Sequence, residues 1–253
     1  MAAPFGIALD RVEPKTLETA FFETHAHGRN GPISTVVASH IAPRCCGVIL
    51  EPNTKPLLLT GTSVASYLAI FTALQPSVRW VGTIYLTLDT DPNEVRNAWE
   101  QGRIAGVKWY PPGHQQAGDR GVTPEMFIDP TSPIAPLLLM MSNEGIPLML
   151  HGEVKYWNGV DIDPYDQEAL FVRLILPRMR EVWPSLRISL EHISTKEAVA
   201  YMEKYGHPYL LVCTVTAHHL ALDRRMLYLH GFLRPDHHCL PVIKAMEHLL
   251  ALH

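Results

Sequence analysis

The feature that most constrains the fold of this chain is a recurring unit: a short apolar run, a polar residue closing it, then a helix-like stretch. The runs are the segment ending at His27, then 46–50, 80–86, 104–109, 146–150, 187–190 and 209–213. Helix-like stretches fall between them, at about 63–74, 91–101, 134–144 and 166–182 and from 195 onward, with a last one over 241–253. Pro92 just after Asp91, with Glu94 in the first turn, marks one helix start, and Gly145 marks a helix end. Such alternation predicts a parallel sheet covered by helices, and uninterrupted apolar runs suit strands buried on both faces. His25, Asn53, Lys108, His151 and His192 each lie at or just past the end of a different run. In a closed β/α barrel all strand ends meet at one mouth, whereas in a doubly wound sheet only the strands at the switch point meet. The predicted fold class is therefore α/β, a (β/α)8 barrel of the TIM type.

The chain has 253 residues, close to the roughly 250 that one such barrel uses. With no repeat, linker or low-complexity tract, residues 1–253 are expected to form a single domain. The formal charge of −4 gives no reason to expect nucleic acid as a partner, and no apolar stretch reaches the roughly 18 residues of a membrane span. The N-terminus lacks the basic-then-apolar layout of a secretory signal. Cys45, Cys46, Cys213 and Cys239 have neither disulfide-framework nor zinc-finger spacing, so reduced thiols in a cytoplasmic protein are expected.

His25 and His27 are two residues apart on one strand and so share a face. Two neutral imidazoles there can hold a divalent ion, and Arg29 beyond them can hold a carboxylate. Taken alone, His-x-His reads equally well as a polar strand end, Lys108 as a solvated charge, and His151 or His192 as a hydrogen-bonded core histidine. Together they favour a metal site. A lysine ammonium beside two dications is electrostatically poor, whereas a lysine amine that has captured carbon dioxide is an anionic carbamate whose two oxygens can bridge two metals. Oxygen and nitrogen ligands suit zinc and also admit manganese or cobalt.

The segments His25-Ala26-His27-Gly28-Arg29, Glu51-Pro52-Asn53-Thr54, Lys108-Trp109-Tyr110-Pro111, Leu150-His151-Gly152-Glu153, Glu191-His192-Ile193-Ser194-Thr195 and Cys239-Leu240-Pro241-Val242-Ile243-Lys244 carry a resemblance. In this order they resemble the dihydroorotases of the shorter, bacterial-type branch of the amidohydrolase superfamily, over almost the whole chain. The resemblance implies two divalent ions, Zn2+ by expectation. His25 and His27 would hold one, His151 and His192 the other, with carboxylated Lys108 bridging them. It also implies that His27, Arg29, Asn53, His151 and the backbone at Leu240 contact substrate. The implied reaction interconverts (S)-dihydroorotate and N-carbamoyl-L-aspartate in pyrimidine biosynthesis, with a small molecule as partner, neither nucleic acid nor membrane involved, and a homodimer compatible with the reading.

The chain departs from the family pattern at three places. Asn30 stands where Asp is usual, and the loop Gly113–Arg120 lacks the threonine pair that closes over substrate. Only seven strands are counted, so the eighth, with its metal-ligating and proton-carrying aspartate, is expected to be missing, which implies truncation at the C-terminus. No catalytic residue is therefore assigned. Of the other carboxylates, Glu191 is expected to point away from His192 across its strand, and Glu153 to lie in a loop. A hydantoinase-type cyclic amidase and a non-catalytic homologue are the alternatives. The missing proton carrier predicts weak metal binding and dihydroorotate turnover orders of magnitude below an intact relative, since acid–base assistance contributes about 10²–10⁴-fold. Turnover at an ordinary enzymatic rate, roughly 1–10³ s⁻¹, would overturn that expectation.

Overall fold

Seven of the apolar runs form strands: β1 (Phe21–Ala26), β2 (Cys45–Leu50), β3 (Arg79–Tyr85), β4 (Ile104–Trp109), β5 (Leu148–Leu150), β6 (Ile188–Leu190) and β7 (Leu211–Cys213). The computed structural model describes residues 21–113 and 118–253; the start of the first apolar run and residues 114–117 of the expected lid loop lie outside them. Every neighbouring pair is parallel, and the strands follow chain order across one sheet whose edges are β1 and β7. Five steps of strand spacing would put the ends of β1 and β6 about 24 Å apart in a flat sheet. The ring centroids of His25, on β1, and His192, just past β6, are instead 5.0 Å apart. The sheet curls as a barrel does, and among the described residues no eighth strand closes it.

Packing follows from the curl. Residues on the outer face, such as Val48, Leu50, Ile84, Val107, Trp109 and Leu150, belong to one large core that includes helix residues such as Phe71, Leu138 and Phe171. Ile49, Val81, Ala105 and Met149, from four adjacent strands, form a separate small cluster on the inner face. Ala105 and Lys108 both point inward although they are three positions apart. The cause is an irregularity between β3 and β4: Gly82 pairs with Ile104 and Ile84 with Val107, so β4 holds one residue more than its partner. An extra residue of this kind resets the two-residue alternation and re-aims the side chains beyond it.

The helices flank the sheet where their capping residues predict. Thr60 forms a capping box with Ser63 at the start of α2 (Gly61–Leu74), following an α1 over Pro32–Ile41. Asp91 accepts from the Asn93 amide ahead of α3 (Pro92–Glu100), and Gly145 ends α4 (Ala135–Glu144) in the left-handed region at φ 69°. The segment expected as one helix from Asp166 is α5 (Gln167–Leu170), a π turn (Phe171–Ile175) and α6 (Leu176–Val182). Next come α7 (Lys196–Tyr205), α8 (Ala217–Ala221) and α9 (Met246–Ala251), the last shorter than the stretch predicted from Pro241. Neither α1 nor the two short hairpins, 156–161 and 228–233, is evident in the sequence pattern.

Gly106 sits in the irregular part of β4, where a Cβ would come within 2.4 Å of the Pro147 carbonyl oxygen. That carbonyl accepts from the Val107 amide, so the obstacle is the backbone on which β4 and β5 pair. Gly106→Ala should cost about 1–3 kcal/mol of stability in urea unfolding, the range for overpacking a core. Unchanged stability would show that β4 and β5 can part freely at this point.

Candidate metal centre

The mouth of the curled sheet opens into a cavity of about 480 Å³ lined by His25, His27, Arg29, Asn53, His151, His192 and Leu240, among others. All the site residues anticipated from the sequence, except Lys108, line it. Lys108 is fully buried and reaches the same centre from the inner face of β4. The histidine rings form a row: centroids are 5.2 Å apart from His27 to His25, 5.0 Å from His25 to His192, and 4.6 Å from His192 to His151.

Local backbone geometry sets these positions. Arg29 has φ 62°, and its carbonyl accepts from Tyr67 Oη at 2.9 Å and Ser34 Oγ at 3.1 Å, which pins the turn after β1. Gly28 lies so close to the Phe71 ring that a Cβ would be 2.4 Å from it. Asn30 accepts from the Lys55 amide and joins the β1 and β2 exit loops. His192 adopts φ 43°, already outside β6.

That turn corrects one expectation. Glu191 does not point away from His192. β6 ends at Leu190, so strand alternation no longer applies. Glu191 accepts a hydrogen bond from Lys108 Nζ, and its other oxygen lies 3.3 Å from His25 Nδ1. Glu51, not singled out from the sequence, is its counterpart: it lies 3.5 Å from both Lys108 Nζ and His25 Nδ1, and accepts from Tyr110 Oη at 3.1 Å. Glu153 is also more than a loop carboxylate, for it is buried with Oε2 2.6 Å from His151 Nε2. A carboxylate closing an apolar run, as Glu51 does, is the signal the sequence offers for it.

Neighbouring side chains fix ring orientation. Asn53 Oδ1 lies 2.7 Å from His27 Nδ1 and accepts its proton, which leaves Nε2 with the lone pair. Glu153 holds the His151 ring in the same way through Nε2. Burial lowers the pKa of His25 and of His27 to about 4, against the opposing pull of Glu51. Burial, then the neighbouring His151, holds His192 well below its ordinary range. The imidazoles of His25, His27 and His192 are thus neutral at pH 7, the state that ligates metal. Burial likewise brings Lys108 down to about 8, towards the free amine. Glu51 stays ionised, because Lys108 and the histidines outweigh its burial.

The donor set fits a divalent ion on a direct observation. His25 Nδ1, His192 Nδ1, Glu51 Oε1 and Glu191 Oε1 are buried and make no hydrogen bond. One ligand atom from each of His25, Glu191 and His192 lies within 4.8 Å of the others. Buried polar atoms left unpaired are costly, and a cation held among His25, Glu191 and His192 would relieve that cost there.

A parallel α/β barrel sheet with histidines and a buried lysine at its C-terminal mouth defines the class of fold and site. In sequence the chain is similar to dihydroorotases. It is 36% identical over 231 residues to the dihydroorotase of Ralstonia nicotianae and 35% identical over 232 residues to that of Laribacter hongkongensis. Each match covers 90% of this chain and 64% of the relative, so the chain spans under two thirds of the length of these curated relatives. Among solved structures, dihydroorotase from Saccharomyces cerevisiae in complex with 5-fluoroorotic acid superposes with a TM-score of 0.81 at 27% identity. That match covers 92% of this chain and 65% of the yeast protein. The Campylobacter jejuni dihydroorotase gives 0.76 at 26% identity, covering 92% and 64%. An L-hydantoinase from Arthrobacter aurescens, at 14% identity, shares the fold. No family model matches the chain.

The depressed histidine pKa values give the metal-free protein a defined acid response. Folded His25 and His27 stay neutral down to about pH 4, whereas in the unfolded chain they take up protons near 6.5. The unfolded state therefore binds more protons between those values, and stability rises with pH across that window. The melting temperature of metal-free protein should fall steadily from pH 6.5 to 4, and His25→Asn should flatten the slope. A melting temperature that is constant or rises on acidification would show that the rings protonate without unfolding.

Proposed function

We propose that this centre binds two Zn2+ ions bridged by carboxylated Lys108 and acts on (S)-dihydroorotate and N-carbamoyl-L-aspartate as a cyclic amidohydrolase. In this reading His25 and His27 hold one ion, and His151 and His192 the other. The observation that carries it is the pair of buried ring nitrogens, His25 Nδ1 and His192 Nδ1, that make no hydrogen bond beside a fully buried lysine. Divalent ions held there supply Lewis acidity towards a water nucleophile and an amide carbonyl.

The chain's own residues supply recognition and orientation. Arg29 lines the cavity beside the histidines, and its guanidinium suits a substrate carboxylate through a charge-assisted hydrogen bond. That favours a carboxylate-bearing ring over a simple hydantoin, and the 5-fluoroorotic acid held by the yeast relative is such a molecule. Asn53 serves this role with its amide nitrogen while its oxygen orients His27. Leu240, partly exposed at the cavity wall, offers its backbone to the ring. Glu51 and Glu191 keep a protonated Lys108 in place until it is carboxylated. The four cysteines are free thiols, in keeping with a cytoplasmic setting, and among the described residues no helix is long and apolar enough to cross a membrane.

Two measurements test the reading. Metal analysis together with a ¹³CO2-derived carbamate signal, lost in Lys108→Met, checks the centre. Arg29→Met should weaken carbamoyl-aspartate binding by about 10-fold or more, the loss of a hydrogen bond to a charged group, with metal content unchanged. Equal loss of substrate and metal would assign Arg29 a structural role instead.

A further inference from the structure

A second group of donors stands beside the row of histidines and has no part in the dihydroorotase reading. His218 and His219, at the start of α8, and Cys239, before Leu240, each offer a ligand atom within 4.8 Å of the other two. Both imidazoles converge on one hydroxyl: Thr216 Oγ1 is 2.7 Å from His219 Nδ1 and 3.1 Å from His218 Nε2. His219 is buried, and its Nε2 donates to the Pro241 carbonyl at 3.0 Å, which fixes the lone pair on Nδ1; the His218 and His219 ring centroids are 4.5 Å apart. A ring oriented by a backbone carbonyl through one nitrogen is the usual arrangement of a metal-ligating histidine.

We propose that His218, His219 and Cys239 form a separate site for one borderline-soft divalent ion of the Zn2+ class. Two imidazole nitrogens and a thiolate match the preferences of zinc, and three protein ligands leave a fourth position open. Binding requires the Cys239 thiol, which donates to the Pro241 carbonyl at 3.3 Å, to give up that hydrogen bond and release its proton to solvent as the sulfur–metal bond forms, and the Thr216 hydroxyl to yield its place at His219 Nδ1; no atom changes oxidation state. His218, Thr216 and Cys239 line the same cavity as His25 and Arg29, so the open position faces the space proposed for substrate.

The site differs from the main centre in one spectroscopically useful respect: it contains sulfur, and the main donor set does not. Metal-free protein titrated with Co2+ under reducing conditions should therefore develop a near-ultraviolet thiolate-to-cobalt band. The band should vanish in Cys239→Ser, weaken strongly in His218→Gln, and persist in Cys213→Ser. Zinc content at saturation should drop by one equivalent in Cys239→Ser, with circular dichroism and melting temperature checked for an intact fold. Absence of the band at saturating Co2+, or its survival in Cys239→Ser, would overturn the proposal. Either result would leave the sulfur-free main centre unaffected, because that centre is read from the carbamate signal and its loss in Lys108→Met.

Discussion

A lysine with no solvent contact, held by two carboxylates that are equally buried, is the constraint around which this structure is arranged. An unpaired ammonium inside a protein costs several kcal/mol, and removing one partner of a buried ion pair costs about 3–5 kcal/mol. Lys108 is tolerated because Glu51 and Glu191 reach it from the ends of β2 and β6, on either side of it in sheet order. Those carboxylates meet only if the sheet is curled, and Lys108 faces them only because β4 carries its extra residue. Curl, bulge and ion pair therefore require one another. The same carboxylates lie 3.3 and 3.5 Å from His25, so the lysine cluster and the row of histidines form one electrostatic unit.

Much of this is legible in the sequence because strand-end position is a property of residue order. His25, Asn53, Lys108, His151 and His192 can be aligned at one mouth without knowing where any strand bends. Inference that relies on perfect strand alternation is what fails. Alternation puts Glu191 on the far side from His192, yet with β6 over at Leu190 and His192 at φ 43° both side chains turn to the centre. Lys108 and Ala105 share a face for a similar reason, and neither irregularity has a signature in apolar periodicity. Gly106 is the residue that hints at one of them, since an isolated glycine within a strand often marks a bulge or a close backbone approach.

Residues outside regular strands are harder still to read. Helix α1 begins after Gly31 with no side-chain cap and shows only two buried residues, so its stripe is too faint to stand out. The cluster of His218, His219 and Cys239 depends on two segments separated by a short hairpin, and no spacing rule links an adjacent pair of histidines to a cysteine twenty residues later. Glu153 is visible as a carboxylate near a histidine. Its role as the partner of the His151 ring depends on both being buried, which composition does not reveal.

Charge constrains how the proposed centre is assembled. As it stands, one lysine cation is shared by two glutamates, which leaves the cluster with a modest excess of negative charge among neutral histidines. Carboxylation replaces that cation by an anion, so three anionic groups would share a desolvated space. Repulsion at such short range is prohibitive in a low dielectric without counter-cations. On the proposed reading the carbamate and the divalent ions must therefore arrive together: neither the modified lysine without metal nor the metals beside an ammonium is electrostatically stable. The two glutamates bias that exchange by holding the ammonium form when no ion is present.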